Sequence, residues 1–472
     1  VQELKSENNP ATLLVLGAGP KGISIAAKHW VLKHLGYPVP KLVVIEKQAV
    51  TAHWSGDYGY TDGRRILGTP PHKDVGFPYA ATCWDEAGAN KAVNAAMLVL
   101  SWPAYLIEQY RYSDWVDRGR PGPTHQEWSK YLQWVAERIE LPLQSAEVYH
   151  IGITPDGRRW QLSCKAPQGQ EQKVSPPAEF QLEGDGLVIT GPGTPLNLPG
   201  QPAQHPRILD GASFWSNLTK FSELPKVSSK GRPLSVGVIG TGETAAAIVV
   251  ALTEVLHDQV LIEVVTSKGV IYARDESYQE NHVFSDPDAL WIDLAKRHKR
   301  AAHDSRLPHS LTHHFKWSNL TEADRREFLS RTDRGVFSMQ AMQAVNLAEN
   351  VSPLTGSARQ VIAGDEQVIV ELEYNGEVRK ASYDYLVVAI GFNPRWFVEL
   401  MDESLQTKLT PEVSPSVELE NFIGYDLAVQ AFQPKLHLPM LAGLAQGPGF
   451  PNLSCLGLLS DRILRSYTAH KE

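Results

Sequence analysis

Apolar runs that stop at a glycine turn and reopen as helically spaced apolar positions recur along this chain. Residues 13–16 form the first run, Gly17-Ala18-Gly19-Pro20-Lys21-Gly22 the turn, and residues 23–35 the helically spaced stretch. This order predicts strand, tight turn and helix. A second apolar run at 41–45 follows Pro38 and Pro40 and ends in Glu46, which completes a βαβ unit. The same grammar returns with a run at 234–239, the turn Gly240-Thr241-Gly242-Glu243-Thr244-Ala245, a helix through residue 256 and a strand at 261–265. The two units lie roughly 220 residues apart, too far for one domain and about right for two.

Two further runs, 186–190 and 385–390, end in small-residue turns at Gly191-Pro192-Gly193 and Gly391-Phe392-Asn393-Pro394, and read as crossings between domains. Proline-rich stretches at 194–206 and 225–233 mark a linker, and the chain from 432 onward is expected to rejoin the first unit. The expectation is therefore an α/β fold of two dinucleotide-binding, Rossmann-like domains. One is discontinuous over 1–208 and 383–472; the other is inserted over 209–382 and carries a small polar, helical insertion at about 286–350. No clear internal repeat is expected beyond the duplicated βαβ.

Composition narrows the class. With 472 residues, 42% hydrophobic and 21% charged, the chain is globular and long enough for two or three domains. Lys+Arg 45 against Asp+Glu 53 gives a net charge of -8, so no nucleic-acid partner is expected. Cys83, Cys164 and Cys455 are scattered and odd in number, which points to a reducing compartment, the cytoplasm by default, with neither a disulfide framework nor a zinc site. Neither a membrane span nor a signal peptide is expected, and a homo-oligomer stays open. His309 and His313 lie four apart near His298, His303 and His314, but their neighbourhood is basic, so this stretch reads as a solvated face rather than a metal site.

The glycine turns carry the chemistry. In the first, Gly17 allows the tight turn, Gly19 lets a pyrophosphate approach the backbone, and Gly22 allows close helix packing. Glu46 stands where a carboxylate accepts from ribose hydroxyls. In the second, Gly240, Gly242 and Ala245 make the alanine variant of the turn, yet the partner strand runs into Ser267 and Lys268 with Arg274 close behind. Hydroxyls and cations in place of the ribose acid suit a 2′-phosphate, so NADPH is expected over NADH. Two such units imply FAD plus NADPH, with hydride passing from nicotinamide to flavin. No CxxC stands beside the flavin unit to serve a disulfide, which leaves O2 as the expected electron acceptor.

Segments 67–74 (LGTPPHKD), 124–134 (THQEWSKYLQW), 332–338 (TDRGVFS) and 447–457 (GPGFPNLSCLG) resemble the flavin-dependent N-hydroxylating monooxygenases, and specifically the lysine N-hydroxylases of mycobactin-type and nocobactin-type siderophore pathways. The likeness runs from the first glycine turn to Arg465; the stretch 291–317 is longer than the family pattern and is left out of it. The resemblance implies N-hydroxylation of a primary amine, the side-chain amine of L-lysine in the first place, with O2 adding at the flavin C4a before the amine attacks; the alternatives are ornithine, a diamine or the α-amine of aspartate as the amine, or a flavoprotein that oxidises or binds NADPH without hydroxylation. It also implies roles for single residues. Lys73 would reach the amino-acid carboxylate and the nicotinamide ribose, and Asn281, in 275–284 (DESYQENHVF), would hold the substrate backbone. Trp54 would lie beside the flavin. Ser454 would open the C-terminal helix facing the flavin pyrimidine and border the substrate. Departures from the ornithine-type pattern are Leu67-Gly68 for Met-Gln, and Asp333-Arg334, where Asp333 either meets the substrate ammonium or pairs with Arg334. His125 reads as a helix-capping residue.

Overall fold

The computed structural model describes residues 10–84, 87–167, 178–225, 227, 231–256, 258, 260–274, 278–288, 316–332, 336–409, 418–430 and 432–468. In its first half, β1 (Thr12–Leu16), β2 (Lys41–Glu46) and β3 (Leu143–Ser145) precede β4 (Glu147–Ile153), β5 (Trp160–Lys165) and β6 (Glu179–Gly184), and then β7 (Gly186–Ile189). After β8 (Ile208–Asp210) the plan repeats. β9 (Ser235–Ile239), β10 (Leu261–Thr266) and β11 (Val351–Thr355) precede β12 (Ser357–Ile362), β13 (Val368–Tyr374) and β14 (Glu377–Tyr383), and then β15 (Tyr385–Val388). A last strand, β16 (Lys435–His437), returns to the first half.

Two five-stranded parallel sheets result, ordered β16-β7-β1-β2-β3 and β8-β15-β9-β10-β11. In each, a three-stranded antiparallel sheet, β4-β5-β6 or β12-β13-β14, is spliced in before the central strand that closes the unit. The fold is α/β, as the duplicated grammar implies, but the duplication is deeper than the βαβ repeat. Central strands are covered on both faces: all four residues of β7 are buried, as are three of four in β15, which is why they read as unbroken apolar runs. β5 instead alternates buried and half-buried positions, the pattern of a sheet wet on one side.

The first core gathers Leu14, Val44, Trp128, Leu187 and Leu459; the second gathers Val236, Ile248, Leu252, Val264 and Phe337. Two expectations change. β15 pairs with β9 and β8, so the residues just past 383 belong to the second sheet and the return to the first comes only after Val388. The helix Met339–Leu347 is no insertion: Ala341 and Val345 pack in the second core, and the helix is the crossover from β10 to β11. What is inserted is the part around the helices Tyr278–Ser285 and Glu322–Thr332, where Phe284, Trp317, Leu320 and Phe328 form a small cluster with Leu444. Residues 289–315, which include the histidine-rich stretch, lie outside the described residues. Among the described residues no helix is long and apolar enough to cross a membrane.

Candidate active site

Both glycine turns are built for backbone that side chains cannot occupy. Gly17 sits at φ +109° and Gly240 at φ +124°; an added Cβ would collide with the Thr190 hydroxyl in the first and the Ala389 carbonyl in the second. Gly22 packs against the Gly17 carbonyl, and Ala245 is fully buried in the second core. Gly19 and Gly242 are the N-caps of the helices Pro20–His34 and Glu243–Val255, and space is open where a Cβ would stand. Both N-caps are glycines with no side chain to cap the helix, which leaves room for an anion's oxygens at each N-terminus.

Around the first turn, Glu46 accepts from the backbone N–H of Ala18 and of Gln48, both at 3.0 Å, which ties the end of β2 to the turn. Trp54 meets His125 edge-on at 4.9 Å between ring centroids. The cap of the helix His125–Arg138 is Thr124, whose hydroxyl accepts from Glu127 N–H at 3.1 Å. His125 is therefore the first helical residue rather than the cap. Its ring lies 2.9 Å from the Thr61 hydroxyl, and burial pushes its pKa down to about 4.

At the second turn, Arg274 pairs with Glu243 at 3.3 Å, which brings it to the start of the helix Glu243–Val255. Ser267 and Lys268 lie on the exposed turn after β10, with the Lys268 ammonium 5.4 Å from the Tyr272 ring centroid.

A third region joins the halves. Asp74, 1% exposed, accepts from the Tyr79 hydroxyl at 2.7 Å, Trp102 N–H at 2.8 Å and Gly76 N–H at 3.1 Å, and so fixes the loop that carries Lys73. Burial outweighs these bonds and raises the Asp74 pKa to about 6. Lys73 is buried with its ammonium 5.7 Å from the Phe77 ring centroid. Gly457 N–H donates to the Phe77 carbonyl at 2.8 Å, seating the helix Leu456–Arg465 on this loop. Ser454 is two residues ahead of that helix rather than at its first turn, and its N–H donates to Asn452 Oδ1. From the other side, Gly449 lies so close to the Phe284 carbonyl that a Cβ would collide with it, which sets the helix Tyr278–Ser285, bearing Asn281, against the same 447–457 segment. The loop that carries Lys73 and the helix that carries Asn281 thus meet one segment from two sides. Asp333 lies outside the described residues. Among the described residues no group of three or more His, Cys, Asp or Glu side chains gathers as a metal site requires.

The sequence pattern of the L-lysine 6-monooxygenase/L-ornithine 5-monooxygenase family matches residues 99–394. The L-lysine N6-monooxygenase MbtG of Mycolicibacterium paratuberculosis is 37% identical over 467 residues, 97% of this chain and 95% of its own. The chain belongs to this monooxygenase family. MbtG of Mycobacterium tuberculosis is 36% identical over 97% of this chain and 94% of its own. The lysine monooxygenase NbtG from Nocardia farcinica, a solved structure, superposes with a TM-score of 0.75 at 37% identity, covering 96% of this chain and 99% of that one.

Two buried charged residues in this region escape sequence reasoning. Lys21, inside the first glycine turn, is 7% exposed; its ammonium donates to the Pro451 carbonyl at 2.7 Å, and burial lowers its pKa to about 8. A lysine amid the small and apolar residues of a helix start was the only available signal. Asp74 closes the 67–74 motif, but its role as the anchor of that loop was not legible, because its three donors come together only in the fold.

Proposed function

We propose that this chain N-hydroxylates the side-chain amine of L-lysine with NADPH and O2 for hydroxamate siderophore biosynthesis, with FAD on the first parallel sheet and NADPH on the second. The observation that carries the reading is the meeting of the Lys73 loop and the Asn281 helix on the 447–457 segment, in a chain with two uncapped glycine-turn helices. Lysine as the amine is supported by the relatives at 36–37% identity, which are lysine enzymes. The three free cysteines, Cys83, Cys164 and Cys455, favour a cytoplasmic location.

The residues fit both cofactors. The open backbone at Gly19 and the helix N-terminus of Pro20–His34 suit the FAD pyrophosphate, with Gly17 and Gly22 shaping the turn and Glu46 placed for a ribose hydroxyl. Trp54 and Ser454 are assigned to the flavin ring, and Ser454 also to the substrate side. Gly240, Gly242 and Ala245 would cradle the NADPH pyrophosphate, with Ser267, Lys268 and Arg274 on its 2′-phosphate. When bound, the flavin takes a hydride from NADPH and activates O2 for transfer to nitrogen. The balance is amine, O2, NADPH and a proton in; N-hydroxylamine, water and NADP⁺ out.

What the chain's own groups do is bind and orient. Lys73 holds the substrate carboxylate and Asn281 its backbone, so the distal amine is the free end. That amine must be neutral to react, which at pH 7.5 costs about 4 kcal/mol against lysine's reference pKa. Binding at the opposite end, in a site walled from water, offsets that cost.

An amine panel scored for N-hydroxylated product tests the reading: lysine should give the most product, and cadaverine, lacking the carboxylate, little. Asn281→Ala should raise the lysine KM while NADPH still reduces the flavin, and Lys73→Ala should also divert oxygen to peroxide. Equal product from cadaverine and lysine, or a parental lysine KM in Asn281→Ala, defeats this orientation.

A further inference from the structure

We infer that Arg462 is a positioning residue for this reaction: through Asp288 it fixes the helix that carries Asn281 against the 447–457 segment. The inference rests on the reading that Asn281 holds the substrate.

Arg462 belongs to the helix Leu456–Arg465, and its side chain is 2% exposed. Burying a guanidinium requires compensation on all its faces, and each face here meets a different part of the chain. In its plane, one nitrogen pairs with Asp288 at 2.6 Å, and the other donates to Gln446 Oε1 at 3.2 Å and the Tyr425 carbonyl at 3.5 Å. The Tyr425 and Phe450 ring centroids lie 4.0 and 4.5 Å from its central carbon. Phe450 is itself part of the 447–457 segment and fully buried. A buried guanidinium packed against two rings and bonded to two further acceptors has little freedom to turn, so its bond direction to Asp288 is set by the segment it braces.

Asp288 lies 174 residues away in sequence, three residues past the helix Tyr278–Ser285. From there the connection to Asn281 is short, through hydrogen bonds that close the last turn of the helix. Asp288 N–H donates to Asp286 Oδ1 at 3.1 Å, Asp286 N–H to the His282 carbonyl at 2.7 Å, and the Ser285 hydroxyl to the Asn281 carbonyl at 3.0 Å. A displacement of Asp288 is therefore a displacement of the last turn of the Asn281 helix. Arg462 need not touch substrate or flavin to matter; it sets the distance between the helix that holds the amino acid and the segment that borders the flavin.

Asp288 is the side to change, because it is 43% exposed and its loss leaves Arg462 with its rings and two acceptors. In the FAD-loaded full chain, Asp288→Asn should raise the lysine KM by roughly tenfold, the scale of a lost charge-assisted contact. FAD content and flavin reduction by NADPH should stay at the parental level, while more NADPH is consumed per hydroxylamine formed. Asp288→Glu should recover part of the KM. Combined with Asn281→Ala, Asp288→Asn should add nothing further to the KM, since both act through one contact. A parental KM in Asp288→Asn, a loss of FAD content in proportion to the loss of activity, or full additivity with Asn281→Ala would overturn the inference. The two readings fail separately. A parental KM in Asn281→Ala alone removes the substrate assignment, whereas a parental KM in Asp288→Asn beside a raised one in Asn281→Ala removes only the role of Arg462.

Discussion

Arg274 and Lys268 are both cations near the end of β10, but they stand differently. Arg274 is three-quarters buried and held at the start of the second glycine-turn helix by Glu243, whereas Lys268 lies exposed over Tyr272. A contact to a phosphate from the partly buried guanidinium should count for more than one from the exposed ammonium. Arg274→Ala is expected to raise the NADPH KM by the equivalent of about 1.5–3 kcal/mol and to leave the NADH KM nearly unchanged, because NADH has no 2′-phosphate. Lys268→Ala should move the NADPH KM in the same direction and less. Steady-state kinetics with both nucleotides check this, and a parallel rise for NADH would remove Arg274 from the 2′-phosphate. The residue types were legible, since a hydroxyl and two cations stand where a ribose acid would. The ion pair with Glu243 was not, because it spans 31 residues and forms only when β10 and the helix Glu243–Val255 lie side by side.

At the scale of elements, the helix Leu456–Arg465 is tied to the helix Pro20–His34 by a buried ion pair. Lys28 on the helix Pro20–His34 pairs with Asp461 at 2.6 Å, with the two side chains 1% and 3% exposed, and Trp84 Nε1 donates to the same carboxylate at 3.0 Å. Removing one partner of such a pair strands a buried charge, which costs about 3–5 kcal/mol, more than the intact pair contributes. Lys28→Met should therefore lower the urea midpoint of the FAD-loaded enzyme strongly. Lys28→Met with Asp461→Leu should be less destabilised than Lys28→Met alone; the opposite order would mean that the pair is a net source of stability. Strands and helices of the two βαβ units follow directly from apolar spacing, because each is covered by its own neighbours. The antiparallel β4-β5-β6 and β12-β13-β14 were missed, although the alternation at Trp160, Leu162 and Cys164 announces β5. Short alternating runs say that a strand exists and not which sheet it joins.

Across the whole molecule, acid should act through buried neutral histidines. His437 is fully buried, with Nδ1 2.8 Å from the Asp426 carbonyl and Nε2 2.7 Å from the Tyr467 hydroxyl, and burial pushes its pKa, like that of His125, down to about 4. As the pH falls below 6.5 the unfolded chain takes up protons that these two sites refuse, so stability drops by at most about 1.4 kcal/mol per pH unit for each. Asp74 works the other way. Its folded pKa of about 6 lies above the ordinary 3.8, so it binds its proton first and returns some stability between those values. His53, which burial also pushes down to about 4, adds to the loss, so three such histidines against one carboxyl leave a net loss as the pH falls from 6.5 towards 4. Thermal midpoints taken from pH 8 to 5 should fall on the acid side, and His437→Gln should flatten the fall; a flat parental profile would mean that these histidines are protonated in the fold. The sequence by itself determined the two βαβ units, their glycine turns and the monooxygenase family, because turns and strand ends are local and only glycine tolerates the backbone at Gly17 and Gly240. The tertiary structure alone decided that β15 stays in the second sheet and that the helix Met339–Leu347 is a crossover. It also decided that Lys21, Arg462, the Lys73 loop and the Asn281 helix meet at the 447–457 segment. Such contacts join residues hundreds of positions apart, and no local spacing encodes which of many compatible surfaces will meet.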